Sequence, residues 1–296
     1  QAVAHTVLRP SGKVKMADKK DAPLTVSGGN FTLAFDRATG YLCTYVVNGT
    51  SMLVNGGMLK PNFWRAVTDN DMGAGLQKRY KAWRNLAIRL LSLQGVKTKT
   101  GAQVVATYEM PDVKARLMLT YSVAKDGQLK VTEQMTTDPT AKVSNLFRFG
   151  MRLELPYDMD KTEFYGHGPI ENYSDRCTSQ NIGIYSQTAD EQFFPYIRPQ
   201  ESGTKTGIRW WNQTNASGAG FRIVADAPFS ASALHYSIAD LDEGEAKQQR
   251  HSEQVPKSQF TELCVDKVQT GVGGVDLGGR RIIKKKTYRV PYQDYT

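Results

Sequence analysis

Hydrophobic and polar side chains alternate with a period of two through most of this chain. The alternation covers 31–47, 102–124, 129–136 and 145–155, and shorter stretches at 207–213, 220–225, 231–238 and 286–292. It places successive side chains on opposite faces, as in a half-buried β-strand. Asn48-Gly49 and Asp126-Gly127 stand where hairpin turns are expected. Helical periodicity occurs only at 76–92 and, weakly, at 238–249.

The order of these elements excludes several architectures. Strands do not alternate with helices, which argues against a TIM barrel and a Rossmann sheet. No repeat of 20–50 residues is visible, which argues against a propeller. The pattern predicts an all-β fold, a large antiparallel β-sandwich forming one domain over residues 25–296. Residues 1–24 are polar and aperiodic, and we expect a linker or a leading extended segment there.

The net charge of +9 over 296 residues changes this picture little. Most of the excess lies in 1–24 and 277–296, and the body between them is nearly neutral. A nucleic-acid-binding domain carries its positive charge on a folded face, so we expect no nucleic-acid partner. The run Lys284-Lys285-Lys286 is predicted to be an exposed strand end.

Other features of the sequence limit the partners and cofactors that we expect. No apolar run reaches the roughly 18 residues that span a bilayer, so no membrane partner is expected. Three cysteines are too few for a disulfide framework or a zinc cluster, and no cofactor or metal is expected. Because the chain begins at Gln1 without a leader pattern, we expect either a removed leader or a piece of a longer protein. A periplasmic and a cytoplasmic location both fit.

Four groups of motifs follow one another along the chain. They are Phe35-Asp36-Arg37-x-Thr39-Gly40-Tyr41-Leu42, then Phe63-Trp64-Arg65-Ala66-x-x-Asp69-Asn70-Asp71-x-Gly73, then the dense stretch 163–211, and last Gly271-Val272-Gly273-Gly274-x-Asp276. The dense stretch contains Tyr165-Gly166-x-Gly168-Pro169-x-Glu171-Asn172-Tyr173-x-Asp175-Arg176 and Pro195-Tyr196-x-x-Pro199-Gln200-Glu201-x-Gly203. Together they resemble the C-terminal small-chain domain of glycoside hydrolase family 2 β-galactosidases.

The resemblance implies a fold and a partner. The family's domain is a two-layer antiparallel supersandwich similar to galactose mutarotase. Its two catalytic glutamates lie in an upstream barrel, for which this chain has no βα alternation. The resemblance therefore implies a non-catalytic domain that packs on the catalytic barrel of the same polypeptide, a galactoside as the bound carbohydrate, and compatibility with a homo-oligomer.

The resemblance also implies which residues of this chain border the active site. It places two glycine-rich loops, 69–76 and 271–279, at the same end of the sandwich, facing the barrel. The candidate border residues are Asp69, Asn70, Asp71, Gly73, Gly271, Gly273, Gly274 and Asp276. Many family members carry a tryptophan in the second loop that this chain lacks, so we expect backbone groups or Asp276 to act there instead.

A second hypothesis keeps the fold and changes the function. A stand-alone mutarotase-like protein, either an aldose epimerase or a carbohydrate-binding module, would use a histidine and a carboxylate as acid and base. Its candidate sugar site is His167, Glu171, Arg176 and Glu201. Loops of this composition also use carboxylates to accept backbone N–H groups and to pair with arginine, and we favour that structural role.

Two further patterns have a structural interpretation. Asp69-Asn70-Asp71 resembles the start of a calcium loop, but the twelfth position is Tyr80 instead of glutamate, which favours a capped turn. Trp210 and Trp211 point to opposite faces of a strand, so we expect one in the core and at most one exposed to stack on a sugar.

Overall fold

The computed structural model describes residues 12–246, 248–276 and 282–296, and most of them lie in antiparallel strands. The strands of the first half are β1 (Lys15–Ala17), β2 (Leu24–Ser27), β3 (Phe31–Phe35), β4 (Leu42–Val47), β5 (Thr50–Ser51), β6 (Leu59–Asn62), β7 (Arg89–Lys97), β8 (Gly101–Met110), β9 (Ala115–Ala124) and β10 (Leu129–Thr137). Those of the second half are β11 (Arg148–Pro156), β12 (Lys161–Gly168), β13 (Asn181–Thr188), β14 (Lys205–Ile208), β15 (Trp210–Thr214), β16 (Gly220–Ile223), β17 (Phe229–Leu234), β18 (Phe260–Gln269), β19 (Val275–Asp276) and β20 (Ile282–Ile283).

Helices are short and connect strands. They are α1 (Asp69–Gly73), α2 (Leu76–Arg79), α3 (Ala189–Gln192) and α4 (Ile238–Leu241), with 3₁₀ turns at Lys81–Trp83, Pro111–Val113, Ser252–Gln254 and Lys286–Tyr288. None of the helices in the described ranges is long and apolar enough to cross a membrane.

Three main sheets share one core. The largest has the order β1-β2-β3-β4-β6-β11-β18-β17-β14, with β5 added to β4. Two four-stranded sheets have the orders β10-β9-β8-β7 and β13-β12-β15-β16, and β19 pairs with β20. The ladders are antiparallel. The all-β, antiparallel prediction is therefore confirmed.

Alternation along single strands builds the interface between layers. In β9 every second side chain from Ala115 to Val123 is buried. Tyr121 of that strand meets Phe35 of the large sheet edge to face, with ring centroids 4.8 Å apart. Phe164 and Trp211 of the other four-stranded sheet stack 5.4 Å apart and belong to the same hydrophobic cluster. Burial of such aromatic side chains is a main source of stability in a layered sheet.

The leading segment is partly ordered into the fold. Lys15–Ala17 pairs with β2 and forms an edge of the large sheet. Residues 1–11 lie outside the described ranges. The domain boundary at residue 25 stays a prediction.

Two sequence predictions about elements were wrong. The helix expected at 76–92 is only α2 and a 3₁₀ turn, and the strand β7 follows from Arg89. The strand expected at 286–292 is a 3₁₀ turn followed by a single bridge at Val290. The expectation that at most one of Trp210 and Trp211 is exposed agrees with the structure, in which both are buried and the Arg222 guanidinium lies 4.8 Å from the Trp210 ring centroid.

Candidate functional site

Two segments 202 residues apart in sequence touch directly. The Asn70 side-chain amide donates a 3.0 Å hydrogen bond to the Val272 carbonyl. We call Asp69–Gly73 and 271–274 the paired segments. The expected convergence of these two regions is confirmed, whereas their bordering of a sugar pocket stays a prediction.

The first of the paired segments is a short capped helix, which agrees with the capped turn favoured for Asp69-Asn70-Asp71. Thr68 accepts a hydrogen bond from the Asp71 N–H at 3.1 Å, and Asp71 accepts one from the Thr68 N–H at 2.9 Å. This reciprocal arrangement is a capping box, which starts a helix by satisfying two backbone donors. Gly73 is the last residue of α1, and Gly75 adopts a left-handed φ of 70° before α2.

The buried Arg65 side chain connects the two paired segments. Its guanidinium donates to both carboxylate oxygens of Asp71, at 3.1 and 2.9 Å, and to the carbonyls of Thr270 and Gly271. Both side chains are fully buried. A bidentate arginine–carboxylate pair fixes geometry as well as charge. The helix and the glycine segment are therefore held in one relative position.

Lys284 completes this buried network. Its ammonium lies 3.1 Å from Asp71 Oδ1 and donates to the Gly271 carbonyl at 3.0 Å. Burial alone would raise the pKa of Asp71, but the charges of Arg65 and Lys284 outweigh it and hold that pKa below its usual value. Burial lowers the pKa of Lys284, and the nearby Arg65 lowers it further. The predicted exposed strand end is thus wrong for Lys284, which is 4% exposed.

Asp175 shapes the second of the paired segments. Its carboxylate accepts hydrogen bonds from the N–H groups of Val272 and Gly273, at 3.1 and 2.8 Å. A Cβ at Gly271 would lie 2.2 Å from Asp175 Oδ2. Only glycine therefore lets this carboxylate approach the backbone closely enough to hold the segment.

The remaining border candidates lie at the surface of this network. Asp69 and Gly274 are exposed, and the Asp69 N–H donates to the Gln200 side chain at 3.2 Å. Asp276 lies in β19, and its side chain is outside what the structure describes. Residues 277–281 also lie outside the described ranges, so the missing tryptophan rests on the sequence alone.

The alternative sugar site is only partly assembled. Glu171 and Arg176 form an ion pair, and the hydroxyl of Tyr196 also donates to Glu171. Glu171 further accepts a 2.7 Å hydrogen bond from the Gly203 N–H. This carboxylate is buried and occupied by three donors, which agrees with the structural role favoured from sequence.

The other two candidates of that site have separate partners. His167 Nδ1 lies 3.4 Å from the Thr206 hydroxyl. Glu201 accepts from Thr204 at 2.9 Å and lies 3.4 Å from the Arg148 guanidinium. Among the described residues His167 has no carboxylate partner, so the acid–base pair that an epimerase needs is not assembled.

The Asp69-Asn70-Asp71 motif does not gather a cation site. The Asp71 carboxylate is already bound by one guanidinium and one ammonium. Within 12–246, 248–276 and 282–296, no three histidine, cysteine, aspartate or glutamate side chains converge at metal-binding distance.

Sequence reasoning missed three residues that build the site. Arg65 and Asp175 stand inside quoted motifs, but neither is among the candidate site residues. Lys284 was placed in a solvated run. For Arg65 the signal was available, because an arginine six residues before a capping aspartate can reach it. For Lys284 no local signal exists, since its carboxylate partner, Asp71, lies over 200 residues away in the sequence.

Comparison with known proteins identifies the family of this chain. Residues 27–296 match the family described as "Beta galactosidase small chain". The β-galactosidase of Priestia megaterium is 34% identical over 88% of this chain and 24% of the relative, and that of Lactobacillus delbrueckii subsp. bulgaricus is 30% identical over 93% and 26%. This chain therefore spans about a quarter of the length of these relatives.

Among solved structures, a putative aldose 1-epimerase from Escherichia coli K12 aligns with a TM-score of 0.39 and 11% identity, over 86% of this chain and 98% of that one. That score is too low to support an argument about fold or activity. The sequence matches are the stronger finding, since they extend over 88% and 93% of this chain. The chain belongs to the β-galactosidase small-chain family.

Proposed function

We propose that this chain is the non-catalytic small-chain portion of a longer β-galactosidase that hydrolyses terminal β-D-galactosides. In this proposal it packs on a catalytic barrel of the same polypeptide and borders the active site with the paired segments. Family membership supports it, as does the fact that the relatives are about four times longer than the matched region. A homo-oligomer also stays a prediction.

The observation that carries the proposal is the buried network beneath the paired segments. Arg65, Asp71 and Lys284 lie almost completely out of solvent and fix the two segments against each other. Asp69 and Gly274 remain exposed above them. A binding wall needs such preorganisation, because a mobile wall loses affinity when it is ordered.

The state of the candidate carboxylates supports a non-catalytic role. A retaining glycosidase needs two carboxyl groups about 5–5.5 Å apart, one acting as a nucleophile and one as an acid. Within the dense motif stretch, Glu171 and Glu201 are the candidate carboxylates for these two roles. Both are buried and bound to arginine, threonine, tyrosine or backbone donors, so neither is available to attack a sugar.

The test joins this chain to the part of the Priestia megaterium β-galactosidase that precedes the matched region. We expect the joined protein to hydrolyse o-nitrophenyl β-D-galactoside and the shortened relative alone to be inactive. In the joined protein Asn70→Ala, which removes the bond to Val272, should raise KM several-fold. Asn181→Ala, an exposed residue of β13, is the matched control and should leave KM unchanged. Equal effects of the two substitutions would refute the bordering role.

A further inference from the structure

A cavity of about 500 Å³ lies next to the paired segments. It is lined by Leu76, Arg79, Tyr80, Ser144, Asn145, Ile283, Lys284 and Arg289, and most of the lining surface is apolar. The volume lies within the range of small-molecule sites. The proposed function assigns no role to this cavity.

The charged side chains in the described lining of the cavity are all basic. Three of its lining side chains are basic, and none of the described lining residues carries a carboxylate. The nearest acid of the network, Asp71, is already paired with Arg65 and Lys284. A concave site lined by one sign of charge concentrates ions of the opposite sign.

The two guanidinium groups are anchored but not saturated. Arg289 donates through Nε and Nη2 to the Lys284 carbonyl, so one edge of the group is fixed. Arg79 donates through Nη2 to the Ala74 carbonyl at 2.7 Å. Among the described residues, Arg289 Nη1 and the other two nitrogens of Arg79 have no hydrogen-bond partner. Anchored guanidinium groups with unused donors are suited to multidentate binding of oxyanions.

We propose that this cavity binds the phosphate group of a small phosphorylated compound. A tetrahedral phosphate dianion offers separate oxygens to Arg79 and Arg289, and its charge matches their two guanidinium groups. The remaining volume accommodates an organic part against the aliphatic wall. The shared chemistry is the phosphate, supplied either as free phosphate or as a monoester. The proposal is independent of the β-galactosidase function.

Isothermal titration calorimetry at pH 8 and constant ionic strength tests this site, with inorganic phosphate and glucose 6-phosphate as the two probes. We expect saturable binding of at least one probe. Tighter binding of glucose 6-phosphate assigns the cavity to a monoester, and equal binding assigns it to free phosphate. Absence of heat from both probes up to about 10 mM, a range in which even weak sites bind, would overturn the proposal.

Two variants separate a built site from general charge attraction. Arg79→Gln should weaken binding at least about tenfold, because a hydrogen bond to a charged group contributes more than about 1.4 kcal/mol. Lys78→Gln removes the same charge one residue away, outside the cavity lining, and should change affinity by less than about twofold. Equal weakening by both variants would refute the site.

Discussion

Replacing Asp71 by asparagine is the most informative perturbation of the buried network. The carboxylate is fully buried and is the shared counter-ion of Arg65 and Lys284. Asparagine has nearly the same shape and can keep one oxygen for the Thr68 N–H. The substitution therefore removes charge without opening a cavity, and two cations remain buried with no counter-ion between them.

The magnitude follows from that geometry. Removing one partner of a buried ion pair typically destabilises a protein by about 3–5 kcal/mol. Asp71→Asn retains part of the helix cap, so we expect the lower end, about 3 kcal/mol. For a chain of this length each kcal/mol shifts the melting temperature by roughly 2 °C, so a decrease of about 6 °C is expected.

Urea unfolding at pH 7 measures this effect. Asp226→Asn, at an exposed position, is the matched control and should stay within about 0.5 kcal/mol of the wild type. Because the folded-state pKa of Asp71 lies below its unfolded value, its stabilisation is fully present above about pH 4 and is lost as the pH falls through the folded pKa. The difference between wild type and Asp71→Asn should shrink accordingly in acid. A loss below about 0.5 kcal/mol at pH 7 would refute the reasoning.

Two other predictions concern buried groups. Burial lowers the pKa of Lys205 to about 8, so the wild type gains stability as the pH rises from about 8 to 10.5, and the unfolding free energy of Lys205→Met relative to wild type should fall by about 3 kcal/mol between pH 7 and 10.5. A difference that does not depend on pH would contradict this. Gly271→Ala should cost about 1–3 kcal/mol in urea unfolding, because its Cβ would lie 2.2 Å from Asp175 Oδ2, and Gly273→Ala should cost less, since that distance is 3.0 Å. The reverse order would show that Asp175 does not set the fit.

Local signals account for most of what the sequence predicted correctly about the fold. Asn48 and Gly49 both adopt positive φ, 50° and 78°, as a two-residue hairpin turn requires, and Gly127 has a φ of 89°. The alternation in β9 was visible in the sequence because each buried side chain occupies every second position. Such features depend on a few neighbouring residues, and for that reason they can be identified without coordinates.

The errors arose where tertiary contacts decide the local structure. The 76–92 segment has apolar residues at helical spacing, yet Arg89–Lys97 pairs with β8 along its whole length. At 286–292 the alternation is real, but Pro291 lacks the N–H that continues a ladder.

The candidate site likewise has some features that local sequence signals reveal and others that depend on distant contacts. The resemblance located both of the paired segments, and Asn70 and Val272 do touch. The capping box at Thr68 was visible as a threonine three residues before an aspartate, so the helix could have been predicted. The burial of Lys284 could not, because it depends on Asp71 and on a carbonyl of the second segment.

The central claim is that this chain carries no glycosidase centre of its own. Hydrolysis of o-nitrophenyl β-D-galactoside by the isolated 296-residue chain tests it most directly. We predict release of o-nitrophenol at the rate of the buffer alone, because Glu171 and Glu201 are buried and engaged by other groups. Turnover above that rate that disappears in Glu171→Gln or Glu201→Gln would contradict it.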